Sequence, residues 1–191
     1  MTLAAEGLRS IAACLRFVRG DMSGVGLLNA SVDGVWRSFA AAVITAPLIA
    51  YSVAQNPLYA HADPAKLWVV QAIAYVFAWT IWPLLTFNVA RTLGRSDKWF
   101  RYIVAYNWSQ VPSNALVVLV DLIGALMLPE DVGAALSLGV YAAIIVYEWY
   151  LAHRLLELTR IGALMLQTMN VFLGFIIVAL TQSLIVPEAF T

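Results

Sequence analysis

Charged residues are scarce in this sequence. Of its 191 residues, 12% are Asp, Glu, Lys or Arg and 62% are hydrophobic, whereas soluble domains have about 25% charged and about 45–50% apolar residues. The 11 basic and 11 acidic residues balance, so the charge gives no reason to expect a nucleic-acid partner. This composition indicates a membrane protein.

The residues that carry most enzyme chemistry are also few. Cys14 is the one cysteine, which excludes an internal disulfide. His61 and His153 are predicted to lie at opposite ends of the membrane domain, so they cannot share a metal ion. No HExxH, GxSxG, CxxC, P-loop or GxGxxG pattern occurs. We therefore expect a protein that is not an enzyme and that uses no cofactor or metal.

Long apolar runs, in contrast, recur along the chain. Each is close to the roughly 20 residues that cross the hydrocarbon core as a helix. The five predicted spans are 35–54, 67–90, 99–128, 134–152 and 163–186. The expected fold is all-α: a polytopic membrane domain of five transmembrane helices over residues 35–186, preceded by a separate helix in residues 1–20.

The N-terminal segment 1–20 shows helical periodicity. Its apolar residues recur at spacings of three and four: Leu8, Ile11, Leu15 and Val18. Arg9 and Arg16 fall on other faces, which is typical of an amphipathic helix in the membrane surface. The alternative is a helix that packs on the cytoplasmic side of the same protein.

The basic residues are distributed asymmetrically about the spans. Ten of the 11 fall on one side and Lys66 falls on the other, so the positive-inside rule predicts a cytoplasmic N-terminus and a periplasmic C-terminus in a bacterial inner (cytoplasmic) membrane. We expect these residues either to bind anionic lipid head groups or only to mark topology. The predicted basic surface comprises Arg9, Arg16, Arg91, Arg95, Lys98 and Arg101.

Two spans carry matching polar stripes. The third has polar residues at i, i+3, i+7 and i+14: Asn107, Gln110, Asn114 and Asp121. The fifth repeats this spacing with Gln167, Asn170, Gly174 and Thr181. Because the two spans run parallel and the stripes lie at similar depth, we expect them to face each other or to share a cavity. Simple interhelical hydrogen bonds are the alternative.

Three further residues inside the spans draw attention. Pro112 removes a helical amide and predicts a kink in the third span. Asp121, in the outer half of that span, has no basic partner at its depth and is a candidate ion- or proton-binding group. Glu148, in the inner half of the fourth span, is a second candidate. The alternative is that Glu148 snorkels to the inner interface or pairs with an arginine there; the available residues are Arg91, Arg101 and Arg154.

A short amphipathic helix is followed by SVDGVWRSF before the first span, by five closely spaced spans and by YNWSQVP in the third. In these features the chain resembles bacterial Yip1-like membrane proteins. The long N-terminal region and the DLYGP motif of eukaryotic members are missing, so their trafficking role is not carried over. The resemblance implies a role in membrane organisation or in support of partner proteins, without catalytic residues.

Two functions therefore remain in view. The first is a non-enzymatic scaffold or accessory subunit whose partners are membrane lipids and other membrane subunits or a second copy of the chain. The second is a small transporter or channel that uses the polar stripes of the third and fifth spans.

Overall fold

The computed structural model describes residues 2–186, and the regular structure within that range is entirely helical. The helices are α1 (Leu3–Val18), α2 (Val32–Ser38), α3 (Ala40–Ala54), α4 (Pro64–Thr92), α5 (Ser96–Met127), α6 (Glu130–Leu155) and α7 (Arg160–Ile185), with 3-10 turns at Met22–Leu27 and Pro57–Tyr59. Helices α2 and α3 form one span, Val32–Ala54, and α4 to α7 form four more that are long and apolar enough to cross a membrane. The prediction of an all-helical chain with five such helices is confirmed.

Local sequence signals set where these helices begin and end. Asp63 accepts a 2.7 Å hydrogen bond from the amide of Lys66 and caps α4, with Pro64 at the first helical position. Gly20 and Gly94 follow α1 and α4 with φ of 75° and 66°, a conformation that glycine adopts at least cost. The connections are short, so consecutive spans run antiparallel.

Helix α5 is central and packs most extensively on α6, then on α3 and α1. Most fully buried side chains lie at the end of the bundle against which α1 packs, which we call the α1 end; examples are Phe17, Tyr102, Trp108, Leu151 and Leu155. The opposite end, which we call the far end, has a small cluster of Tyr59, Leu67 and Ile185. In each span at most 17% of the most apolar stretch is buried, so most of the spanning surface faces outward.

Helix α1 packs on the bundle through a buried face of Glu6, Gly7, Ser10, Ala13, Cys14 and Phe17. At Gly7, an added Cβ would lie 2.6 Å from the Trp108 ring, so only glycine allows this close approach. The predicted apolar stripe lies on the opposite side, where Leu8 and Val18 are 70% and 67% exposed. Helix α1 therefore packs on the protein and leaves Leu8 and Val18 exposed, whereas Ile11 of the predicted stripe packs partly against the core. The place of α1 in the membrane surface stays a prediction.

Candidate functional site

The central polar feature of the spans is a cluster around Glu148 on α6. Gln110 of α5 donates to Glu148 Oε1 at 3.0 Å. Gln167 and Asn170 of α7 donate to Oε2 at 2.9 and 3.1 Å. Asn170 also donates to the Tyr106 hydroxyl at 3.2 Å. The cluster therefore ties three spans together at one carboxylate.

This cluster satisfies polar groups that hydrocarbon cannot. Glu148 is 7% exposed and Gln167 is 3% exposed, so water is largely excluded from both. A carboxylate accepts several hydrogen bonds, and three carboxamide N–H groups are directed at this one. The predicted pairing of Glu148 with an arginine is wrong. Arg101 instead contacts Leu155 O and Glu157, and the hydrogen-bond partners of Glu148 within residues 2–186 are neutral amides.

The remaining stripe residues do not join the cluster. Asn107 donates to Ser38 Oγ of α2 at 2.9 Å, and Asn114 donates to the Gln110 carbonyl of its own helix at 2.8 Å. Asp121 accepts a 2.6 Å hydrogen bond from Ser137 of α6. Thr181 donates to a carbonyl of its own helix. The two stripes therefore meet mainly through the α6 carboxylate and not along their length.

A cavity of about 210 Å³ lies beside the cluster, between α3, α4 and α5. Its polar wall is formed by Asn107, Gln110, Asn114, Tyr106, Thr45 and Tyr75. A second cavity of about 350 Å³ shares Ile49, Tyr75 and Ala78 with it and extends to Tyr59 and Trp68 at the far end. Together they form a depression along α3 and α4 that leads from the far end to the third-span carboxamides.

Sequence reasoning missed the aromatic and hydroxyl residues of this cavity. Tyr75, Trp79 and Trp82 lie within one apolar run, where aromatic side chains are ordinarily packing or interfacial groups. A clue was available, because Tyr75 and Trp79 are spaced i, i+4 and share a helix face. Only the position of α3, which places Thr45 at 2.7 Å from the Tyr75 hydroxyl, identifies them as cavity wall.

Pro112 lies inside α5, which continues across it as one helix. The proline lines a third, largely apolar groove of about 570 Å³ between α1, α5 and α6. Because proline has no N–H, the Trp108 carbonyl lacks its usual helical donor.

Three residues of the predicted basic surface contact the turn between α6 and α7. Arg95 donates to the Leu156 carbonyl at 2.9 Å and also to that of Glu157. Lys98 and Arg101 pair with the Glu157 carboxylate, and these cations lower the pKa of Glu157 to about 2. Cations at a helix C-terminus complement its dipole, so these three residues cap α6 and hold the turn before α7. They contrast with Arg91, which is exposed.

At the N-terminal end, Arg16 donates to Ser23 at 3.2 Å and Arg9 is exposed. Cys14 of α1 is buried and donates to the Ala105 carbonyl at 3.4 Å. Burial raises the pKa of its thiol to about 12, so it is not a reactive nucleophile at neutral pH. Within residues 2–186 no three His, Cys, Asp or Glu side chains are grouped closely enough to hold a metal ion.

Comparison of the chain with family models, curated proteins and solved structures gave no match.

Proposed function

We propose that this chain is a non-enzymatic, Yip1-like integral protein of a bacterial inner membrane that organises the bilayer or serves as an accessory subunit. The observation that carries the proposal is the Glu148 cluster. The Glu148 carboxylate accepts hydrogen bonds from Gln110, Gln167 and Asn170, so it stabilises a fixed arrangement of α5, α6 and α7. Such internal bonding suits a rigid scaffold, and the outward apolar surface suits contact with lipid or with other subunits.

In this proposal α1 is an interfacial helix on the cytoplasmic side. It is fixed to the bundle because the buried Glu6 accepts hydrogen bonds from Arg37 and Asn29, each at 2.9 Å. Its exposed Leu8, Leu15 and Val18 then enter the boundary between head groups and acyl chains, where apolar burial favours binding. The exposed Arg91 and Arg9 lie on the side expected to face anionic lipids.

Two measurements test this role. Leu58→Cys, in the far-end loop, should react with a membrane-impermeant maleimide on intact spheroplasts, whereas Leu93→Cys should react only after lysis; both positions are exposed. The reverse pattern would contradict the orientation.

The second measurement uses the purified protein. In liposomes it should pass no solute, and in mild detergent it should retain one fixed partner, or a second copy, at constant stoichiometry. Protein-dependent flux would refute the scaffold role.

One observation favours the second candidate, a small transporter or channel. The cavities of about 350 and 210 Å³ share Ile49, Tyr75 and Ala78 and lead to Gln110, one hydrogen bond from Glu148. In this role the sensitive acid would be Glu148, since Asp121 lines neither cavity and is bonded to Ser137.

A further inference from the structure

The carboxamides that line the 210 Å³ cavity have defined orientations. Ser38 gives its hydroxyl proton to the Val35 carbonyl, so it can only accept from Asn107, whose Nδ2 lies 2.9 Å away. Gln110 faces a carboxylate and Asn114 faces a backbone carbonyl, and both of these groups accept only. All three side chains therefore direct nitrogen into the protein.

Three carboxamide oxygens are left as acceptors at one cavity. Asn107, Gln110 and Asn114 all line it, and their side-chain oxygens accept no hydrogen bond from another group within residues 2–186. None of the three oxygens is fully enclosed without a partner, so each keeps some surface that a ligand can reach. A group in the cavity that donates hydrogen bonds would satisfy them.

The groups that line the cavity favour a cation. Gln110 donates to Glu148 through Nε2, so the side-chain oxygen of Gln110 stays available as an acceptor. Aromatic rings line the same space. Tyr75 and Trp79 form one pair with centroids 6.1 Å apart, and Trp82 and Tyr106 form another at 5.9 Å. Such rings attract cations to their faces.

We propose that this cavity binds a small primary ammonium ion, with its N–H groups on the carboxamide oxygens of Asn107, Gln110 and Asn114 and its carbon end against the aromatic rings. A volume of about 210 Å³ admits a cation of a few heavy atoms. The inference gives a ligand class to the second candidate function and rests on it only for the route of access. Binding does not require transport.

The test is a titration of the full-length protein in nanodiscs with methylammonium chloride, followed by tryptophan fluorescence. A saturable change is expected. Tetramethylammonium has no N–H donor and should bind about a thousandfold more weakly, because it loses three hydrogen bonds to a charged group and each is worth about one decade in affinity. Potassium should also bind more weakly, because it has no carbon end to place against the aromatic rings. Equal binding of either control ion, or no saturable change, would overturn the proposal.

A matched pair of variants locates the site. Asn114→Leu removes one acceptor and should weaken methylammonium binding about tenfold. Asn88→Leu is its control, since Asn88 makes the same bond to a carbonyl four residues earlier, at 2.8 Å, on an exposed face of α4. Equal effects of the two variants would refute the assignment.

A further variant covers the case in which Asn114→Leu does not fold. Trp79→Phe keeps a ring in place and should weaken binding severalfold, since indole attracts cations best; unchanged affinity would count against the proposal. Binding without flux in liposomes would leave this site in place and remove only the transport function.

Discussion

The α1 end and the far end of this bundle differ in how their polar groups are bonded and in how their helices approach each other. At the α1 end, polar and charged groups are numerous and several have partners on other helices, as Glu148 has on α5 and α7. Within residues 2–186, the buried Tyr102 hydroxyl and Trp108 Nε1 have no such partner. At the far end, the hydrogen bond that Asp121 makes within residues 2–186 comes from Ser137, and the helices approach closely through small residues. Gly124 and Gly133 are so close that a Cβ on either would lie 3.3 or 3.2 Å from the other's Cα.

This difference indicates which end of the bundle is held more rigidly. The α1 end combines side-chain packing with a hydrogen-bonded network, which fixes helix positions more uniquely than apolar contact alone. The far end has a small buried cluster and an open depression along α3 and α4, so fewer side-chain contacts hold its helices in place.

The largest expected effect is that of removing the Glu148 carboxylate. Glu148→Ala leaves three carboxamides without their acceptor and should lower the free energy of unfolding by about 3 kcal/mol or more. Asp121→Ala removes one hydrogen bond and should cost about 1 kcal/mol. Denaturation in mixed detergent micelles measures both. Equal losses of unfolding free energy in the two variants would contradict the difference between the two ends.

Glycine substitutions give the next largest effect. Gly7→Ala places a methyl group against the Trp108 ring and should destabilise by about 1–3 kcal/mol. At the far end, Gly133→Ala meets a backbone atom at 3.2 Å and should cost about 1 kcal/mol. Gly174→Ala is the control, because no atom lies within 4 Å of its added Cβ. A Gly7 variant as stable as this control would contradict the packing of α1.

The ionic contacts of Glu157 should make the α1 end sensitive to acid. The folded pKa of about 2 lies below the ordinary value of 4.5. The stabilisation is therefore complete above about pH 4.5 and is lost as the pH falls towards 2. The stability difference between the wild-type protein and Glu157→Gln should shrink over that interval. A difference that stays constant from pH 6 to pH 3 would argue against the pairing with Lys98 and Arg101.

The smallest effect concerns reactivity rather than stability. Cys14 is buried and its thiol has a pKa of about 12, so a small maleimide should leave the folded wild-type protein unlabelled at pH 7 and react after denaturation. Leu58→Cys in the far-end loop should react at once. Rapid labelling of folded wild-type protein, measured by intact mass, would show that α1 detaches readily from α5.

Much of the local structure was predictable. The five apolar runs predicted the spanning helices to within a few residues at most ends, since length and composition decide which segments can cross a bilayer. Helix ends follow local signals too, since Ser31 before α2 accepts the amide of Gly34 at 3.1 Å, as serine at an N-cap does. The stripe of Asn107, Gln110 and Asn114 was readable from spacing alone, because helical periodicity fixes which residues share a face.

The partners of those residues were not predictable. Periodicity gives a direction relative to one helix axis, but not which neighbouring helix lies there. Asn107 and Gln110 are one turn apart, yet one contacts α2 and the other contacts α6. The partners of the cationic residues were not predictable for the same reason. The sequence predicted Arg95, Lys98 and Arg101 as part of a basic surface, whereas in the structure they contact the turn after α6.

The sequence by itself determined that this chain has five helices able to cross a membrane and that the polar edges of the third and fifth must be satisfied, because hydrocarbon offers no hydrogen bonds. Only the tertiary structure decided that one carboxylate on α6 receives amides from both helices, and that three carboxamide oxygens remain at one cavity. The reason is geometric. Hydrogen bonds require approach within about 3 Å, and such proximity arises only from how separate helices pack.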